Sequence, residues 1–143
     1  MLFYHGTMAF RDIVDDFING PTIAVQRIRD LIQNPDWEVC CSDVPLGHIG
    51  VVLDGTPVAM FDGDVSSTVI DGHRVRSAEH GTHHKELSIE EWATCISRTH
   101  KEAWVTNYRI QSIWISESFE WENEELLPIL ASIGLPVEVL KGR

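Results

Sequence analysis

The chain has 143 residues, 43% hydrophobic and 23% charged. That length fits one domain over residues 1–143, and the mixture excludes collagen-like, low-complexity and disordered chains. The net charge of −11 repels phosphates over most of the surface, so non-specific DNA binding is not expected.

The acid excess is uneven. Residues 1–71 carry eleven acids against Arg11, Arg27 and Arg29, whereas residues 72–143 carry eleven against eight bases. No run of ~18 apolar residues occurs, so a membrane span is not expected. Met1–Tyr4 is apolar, but His5 and Gly6 interrupt it and no basic stretch precedes it, which argues against a signal peptide. Cys40, Cys41 and Cys95 make an odd count, and the first two are adjacent. A bridge between neighbours is strained, so free thiols in a reducing, cytoplasmic setting are expected.

A short strand over Leu2–Tyr4 opens the chain. Phe10, Ile13, Val14, Phe17 and Ile18 fall on one face of an amphipathic helix. Thr7 is its expected cap, and Asn19-Gly20-Pro21 its expected stop. Thr22 is expected to cap a second helix with Ala24, Ile28, Leu31 and Ile32 inward, ended by Asn34-Pro35. The β-branched run His48–Leu53, the turn residues Asp54-Gly55-Thr56-Pro57 and the run Val58–Phe61 predict a hairpin. Two more turns, Asp62-Gly63-Asp64 and Asp71-Gly72, bracket a strand over Val65–Ile70, and His73–Ser77 alternates. Together Ile49–Arg76 reads as a β-meander.

A polar loop, Ala78–Lys85, follows. Ser88 and Glu91 have the spacing of a capping box, with Leu87 and Trp92 placed for a hydrophobic staple. This helix is expected to run to about residue 99. Two strands are then predicted, Ala103–Thr106 and Arg109–Ser116. Glutamates from Glu117 to Glu125 precede an apolar helix over Leu126–Ile133, in which Pro128 predicts a late start or a kink. Gly134 is the expected C-cap, and Val137–Leu140 the last strand. Strand, helix, strand predicts a small βαβ-like closure, and the whole is α+β.

Three features carry candidate chemistry. His5-Gly6-Thr7 lies at a strand end just before a helix, where a glycine lets a ligand approach the backbone and an imidazole offers two ring nitrogens. Glu102 opens a strand, where a carboxylate can accept a hydrogen bond from a sugar hydroxyl or stabilise a developing cation. His80, His83 and His84 form the densest histidine cluster, with Glu86, Cys95 and His100 downstream. They are a candidate metal site, but zinc spacings are not met and no Cys-x-x-Cys occurs, so a solvated loop is expected.

Phe3-Tyr4-His5-Gly6-Thr7, followed by a helix ending Ile18-Asn19-Gly20, resembles small ADP-ribosyltransferases of the diphtheria-toxin and poly-ADP-ribose-polymerase type. Glu102-Ala103-Trp104-Val105 with Arg109–Ile115 is similar to the family's block of a glutamate opening a strand. Gly134-Leu135-Pro136-Val137 looks like the close of small phage and bacterial members. The resemblance covers the two ends of the chain better than its middle. It implies a split β-sandwich of the ADP-ribosyltransferase type, with N-terminal helices and NAD in the cleft. By the same resemblance Glu102 is catalytic, holding the nicotinamide ribose and stabilising an oxocarbenium-like transition state. His5 would hold the adenine-side ribose, Gly6 the nicotinamide amide, and Thr7 would complete the motif. Ser66-Ser67-Thr68 matches the family's serine-type middle strand and adds Ser67. No metal is implied, and the acceptor of ADP-ribose would be a protein or nucleic acid. The reading from another class is a small acidic protein that neutralises a basic partner, such as a toxin or nucleic-acid enzyme, through a flat acidic patch.

Overall fold

The computed structural model describes residues 1–6, 20–62, 65–70, 73–78, 86–96, 101–122 and 124–142. The helix predicted over Phe10–Ile18 lies outside them, as do Thr7 and the histidines 80, 83, 84 and 100. The described chain is α+β: β1 (Leu2–Gly6), α1 (Gly20–Gln33), β2 (Val39–Ser42), β3 (Ile49–Phe61), β4 (Val65–Ile70), β5 (His73–Ala78), α2 (Ile89–Thr94), β6 (Glu102–Ser116), α3 (Glu117–Glu122), α4 (Leu126–Ala131) and β7 (Val137–Leu140). No described helix is long and apolar enough to cross a membrane.

Five strands form one mixed sheet in the order β2-β1-β3-β6-β7, and β2 also pairs with β6. The first half of β3 lies between β1 and β6, from Gly50 beside Gly6 to Asp54 beside Leu2. The second half stays on β6, with Pro57 opposite Val105 and Phe61 opposite Glu102. The other side of that same stretch of β6 is taken by β2, from Val39–Val105 to Ser42–Glu102. β3 and β6 thus carry the longest pairing of the sheet, and β2 pairs with both β1 and β6.

The predicted hairpin over residues 48–61 is therefore corrected: β3 is one strand of 13 residues. Asp54-Gly55-Thr56-Pro57 is an irregularity in the pairing, with register shifts at Asp54/Thr56 and Pro57/Ala59. A bulge accommodates a proline that has no N–H to give the ladder. Gly55 is needed there, because a Cβ would lie 2.7 Å from Val105 Cγ1 and 2.8 Å from Tyr108 Cβ. β6 is likewise one strand of 15 residues rather than two. Its break is Asn107, whose φ of 48° is left-handed, a conformation asparagine tolerates better than most residues. The two irregularities face each other, since Thr56 pairs with Thr106 and Asp54 with Arg109.

β4 and β5 pair as predicted, Ile70 against His73, but they form their own two-stranded sheet. The meander therefore does not run on from β3. α1 begins at Gly20 and contains Pro21 and Thr22, which corrects Thr22 as its cap; the helix expected to stop at Asn19-Gly20-Pro21 lies outside the described residues. Proline without its N–H is tolerated in a first helical turn. Ala24, Val25, Ile28 and Leu31 face the core, while Ile32 is 38% exposed. Its C-terminal carbonyls are collected by β6: the Tyr108 hydroxyl lies 2.7 Å from the Leu31 carbonyl oxygen and 2.8 Å from that of Asn34.

The capping box of α2 is complete. The Glu91 N–H donates to Ser88 Oγ, and the Ser88 N–H to Glu91 Oε1, both at 3.1 Å. The helix is only six residues long, and Cys95 is already extended. α3 and α4 cross from β6 to β7, which lie parallel, Ile113 beside Val137 and Ser116 beside Leu140. This is the predicted closure. Pro128 is the third residue of α4, in the turn where its missing N–H breaks no bond. Gly134 has a φ of 92° beyond the helix end.

Opposed residues on paired strands share a face. One face of the sheet carries Phe3, Val51, Leu53, Cys41, Ala103, Val105, Ile113 and Ile115, buried together with Ile28, Trp92, Leu126 and Leu130. The other carries a smaller cluster of Ala59, Phe61 and Trp104, with Cys40 against it.

Candidate functional site

Glu102 begins β6 where that strand lies between Ser42 of β2 and Phe61 of β3. It is 5% exposed. A buried carboxylate requires compensation, and burial without it is strongly unfavourable. Two indoles hold it. Trp104 Nε1 donates to Glu102 Oε1 at 3.0 Å, and Trp92 Nε1 donates to the Glu102 carbonyl at 3.2 Å. Residues 102 and 104 share a face because side chains alternate along a strand. Trp104 stands in the cluster of Ala59, Phe61 and Cys40, so its ring has a fixed place from which to donate.

Trp92 is itself secured. Lys101 lies 4.8 Å above its ring. The Lys101 ammonium donates to the Trp92 carbonyl at 2.5 Å and the Cys95 carbonyl at 3.3 Å. This buried cation therefore caps the end of α2, and its charge favours that end of the helix. The Lys101 N–H donates to Asp43 Oδ1 at 2.9 Å. Lys101, Trp92 and Asp43 together fix where β6 begins, and hence where Glu102 sits. Sequence reading missed Trp104, Trp92 and Lys101. The one available signal was the spacing Glu-x-Trp at the opening of a strand.

His5 lies one strand away, on β1. Tyr4 pairs with Ser42, which pairs with Glu102, so Tyr4, Ser42 and Glu102 share a face across three strands. Alternation puts His5 on the opposite face with Phe3. His5 Nδ1 is 2.5 Å from the Cys40 carbonyl oxygen, at the seam where β1 and β2 splay apart after a single pair. A carbonyl only accepts, so Nδ1 carries the proton and the neutral ring presents Nε2 as an acceptor. Burial lowers the His5 pKa below its ordinary value of 6.5. The bond to Cys40 opposes that shift, and the charge of Arg27 adds to it. The imidazole is thus held neutral and in one tautomer.

Glycine at position 6 has a structural reason of its own. A Cβ there would collide with the Leu46 carbonyl oxygen. Gly6 pairs with Gly50 and Gly50 with Trp114, and the Trp114 indole lies over this row. A Cβ on Gly50 would meet Trp114 Cζ2 at 2.6 Å as well as the His5 carbonyl. Ser67 is on β4, opposite Arg76 of β5, in the separate two-stranded sheet. Thr7 lies outside the described residues. The structure thus brings β1 and the start of β6 together through β2, with the side chains of His5 and Glu102 on alternate faces by register.

Among the described residues no three His, Cys, Asp or Glu side chains converge as a metal site. The Cys41 thiol is buried and its pKa raised by that burial, as suits a small core hydrophobe rather than a nucleophile. An apolar hollow of about 290 Å³ lies between α1 and the far half of β6, lined by Leu31, Ile32, Tyr108, Ile110 and Leu135 among others. None of the candidate site residues lines it. Comparison with protein-family models, with curated proteins and with solved structures finds no match to this chain.

Proposed function

We infer that the chain is an ADP-ribosyltransferase-like enzyme that takes NAD as substrate. The observation that carries this reading is Glu102: a buried carboxylate at the opening of a strand, with one oxygen fixed by an indole N–H. A charge held in place before reaction, in surroundings of low polarity, stabilises a developing cation without reorganising. The reading rests on Glu102 without His5, whose side chain lies on the opposite face of the sheet by register. The facing register irregularities of β3 and β6 are where a sheet could divide, as the split sandwich implied by the resemblance requires.

In this reading Glu102 holds the nicotinamide-side ribose and offsets the positive charge that grows at C1′. The bond from C1′ to the nicotinamide nitrogen breaks, and nicotinamide leaves with the bonding pair. An acceptor oxygen or nitrogen, on protein or nucleic acid, bonds C1′ and releases its proton to solvent.

The test is incubation with labelled NAD and a cell lysate, with Glu102→Gln beside the parent. Label on a macromolecule, lost in the variant, is the expected result. If the parent neither binds NAD nor consumes it, the reading is wrong, and a pull-down for a basic partner tests the acidic-binder alternative.

A further inference from the structure

We propose that Trp104 is the positioning residue of Glu102, so that the working unit is Glu102-Ala103-Trp104 rather than the glutamate alone. The proposal rests on the reading of Glu102 given above. An indole N–H is a donor and never an acceptor. Placed 3.0 Å from Oε1, it binds the ionised carboxylate more strongly than the protonated acid. It also fixes the carboxylate plane, because one oxygen is held and the other must follow. Trp104 can do this only if its own ring is immobile. It is 7% exposed and packed among Ala59, Phe61 and Cys40.

The backbone of the same residue is held separately, by Trp92 Nε1 on the Glu102 carbonyl. One indole therefore sets where Glu102 stands and the other sets where its carboxylate points. Lys101 belongs to the first device, through the end of α2 and the Trp92 face. Trp104 belongs to the second, through its bond to Oε1.

Trp104→Phe keeps an aromatic ring and removes the donor. With carboxyl-carbon-labelled glutamate, the Glu102 resonance is the one absent from Glu102→Gln. It is expected to titrate at higher pH in Trp104→Phe than in the parent. In the parent, the Trp104 indole N–H resonance is expected to move through that same titration. In NAD turnover, kcat should fall about tenfold with KM changed less than about twofold, the size expected for losing one hydrogen bond to a charged group in the transition state. The acid limb of the pH profile should move up with the carboxyl titration. An unchanged Glu102 titration in Trp104→Phe overturns the proposal, and so does an indole resonance in the parent that ignores Glu102. If Trp104→Phe does not fold, the parent's indole titration decides. If the parent never turns over NAD, the reading of the site fails, and the two titrations still decide whether Trp104 positions Glu102.

Discussion

The two halves of β6 are buried by different means. From Ile110 to Ser116 the strand is held by apolar contact, with Ile113, Trp114 and Ile115 at 1% exposure or less. From Glu102 to Val105 it is equally buried, but Glu102 and Lys101, the residue just before the strand, are buried charged groups. This half is held by directed bonds: two indole N–H groups, an ammonium on two carbonyls, and a backbone N–H on Asp43. The first kind of packing tolerates changes that conserve volume, whereas the second requires each partner in place. The candidate site, Glu102, stands at the end held by directed bonds.

That contrast can be broken from either side. The largest effect is expected in the apolar half: Ile113→Ala should lower stability by ~2–5 kcal/mol, through lost burial and the cavity left behind, read by chemical denaturation. In the polar half, Lys101→Ala strips a donor from two helix-end carbonyls and a cation from the Trp92 face. It should cost ~1–3 kcal/mol. It should also broaden the Trp92 indole resonance while leaving the Ile113 region unchanged in hydrogen exchange. Ser88→Ala removes the cap of α2 and should cost about 1 kcal/mol, measured the same way. Glu102→Gln keeps an oxygen for the Trp104 donor, so its stability should stay within about 1 kcal/mol of the parent while NAD turnover is lost.

The seam between β1 and β2 sharpens the comparison through pH. His5 has a lowered pKa in the folded chain, so on acidification the unfolded chain takes up the proton first. Stability should therefore fall as pH drops below about 6.5 and level off below the folded value. His5→Gln should remove this part of the slope from a series of melting curves between pH 8 and pH 5. If the slope persists in full, burial of His5 is not its cause.

Local signals in the sequence were reliable where local chemistry decides. The Ser88–Glu91 box, the pairing of β4 with β5, Pro35 after α1 and the closing strand could all be placed. β3 and β6 were each divided in two because Gly55, Pro57 and Asn107 are turn residues, and the same residues make bulges. Only the partner strand tells a reversal from a bulge, and that partner lies some fifty residues away in sequence. The site was half legible. Glu102 and His5 stood out by type and place, but the Cys40 carbonyl under His5 and the Trp92 indole under Glu102 are brought there by tertiary pairing. Trp104 was within reach, since period-two alternation puts residues 102 and 104 side by side.

The row Gly6–Gly50–Trp114 has a consequence for how this sequence can drift. Across most sheets, a large residue that shrinks can be offset by a small neighbour that grows. Here that exchange is closed, because growth at position 50 is blocked by the His5 carbonyl and growth at position 6 by the Leu46 carbonyl, both main-chain atoms that no substitution removes. A void left at Trp114 therefore cannot be refilled from position 6 or position 50. A deep mutational scan should show the three positions as independently intolerant, with no rescuing pairs among them, so that they would be invariant across relatives without ever covarying.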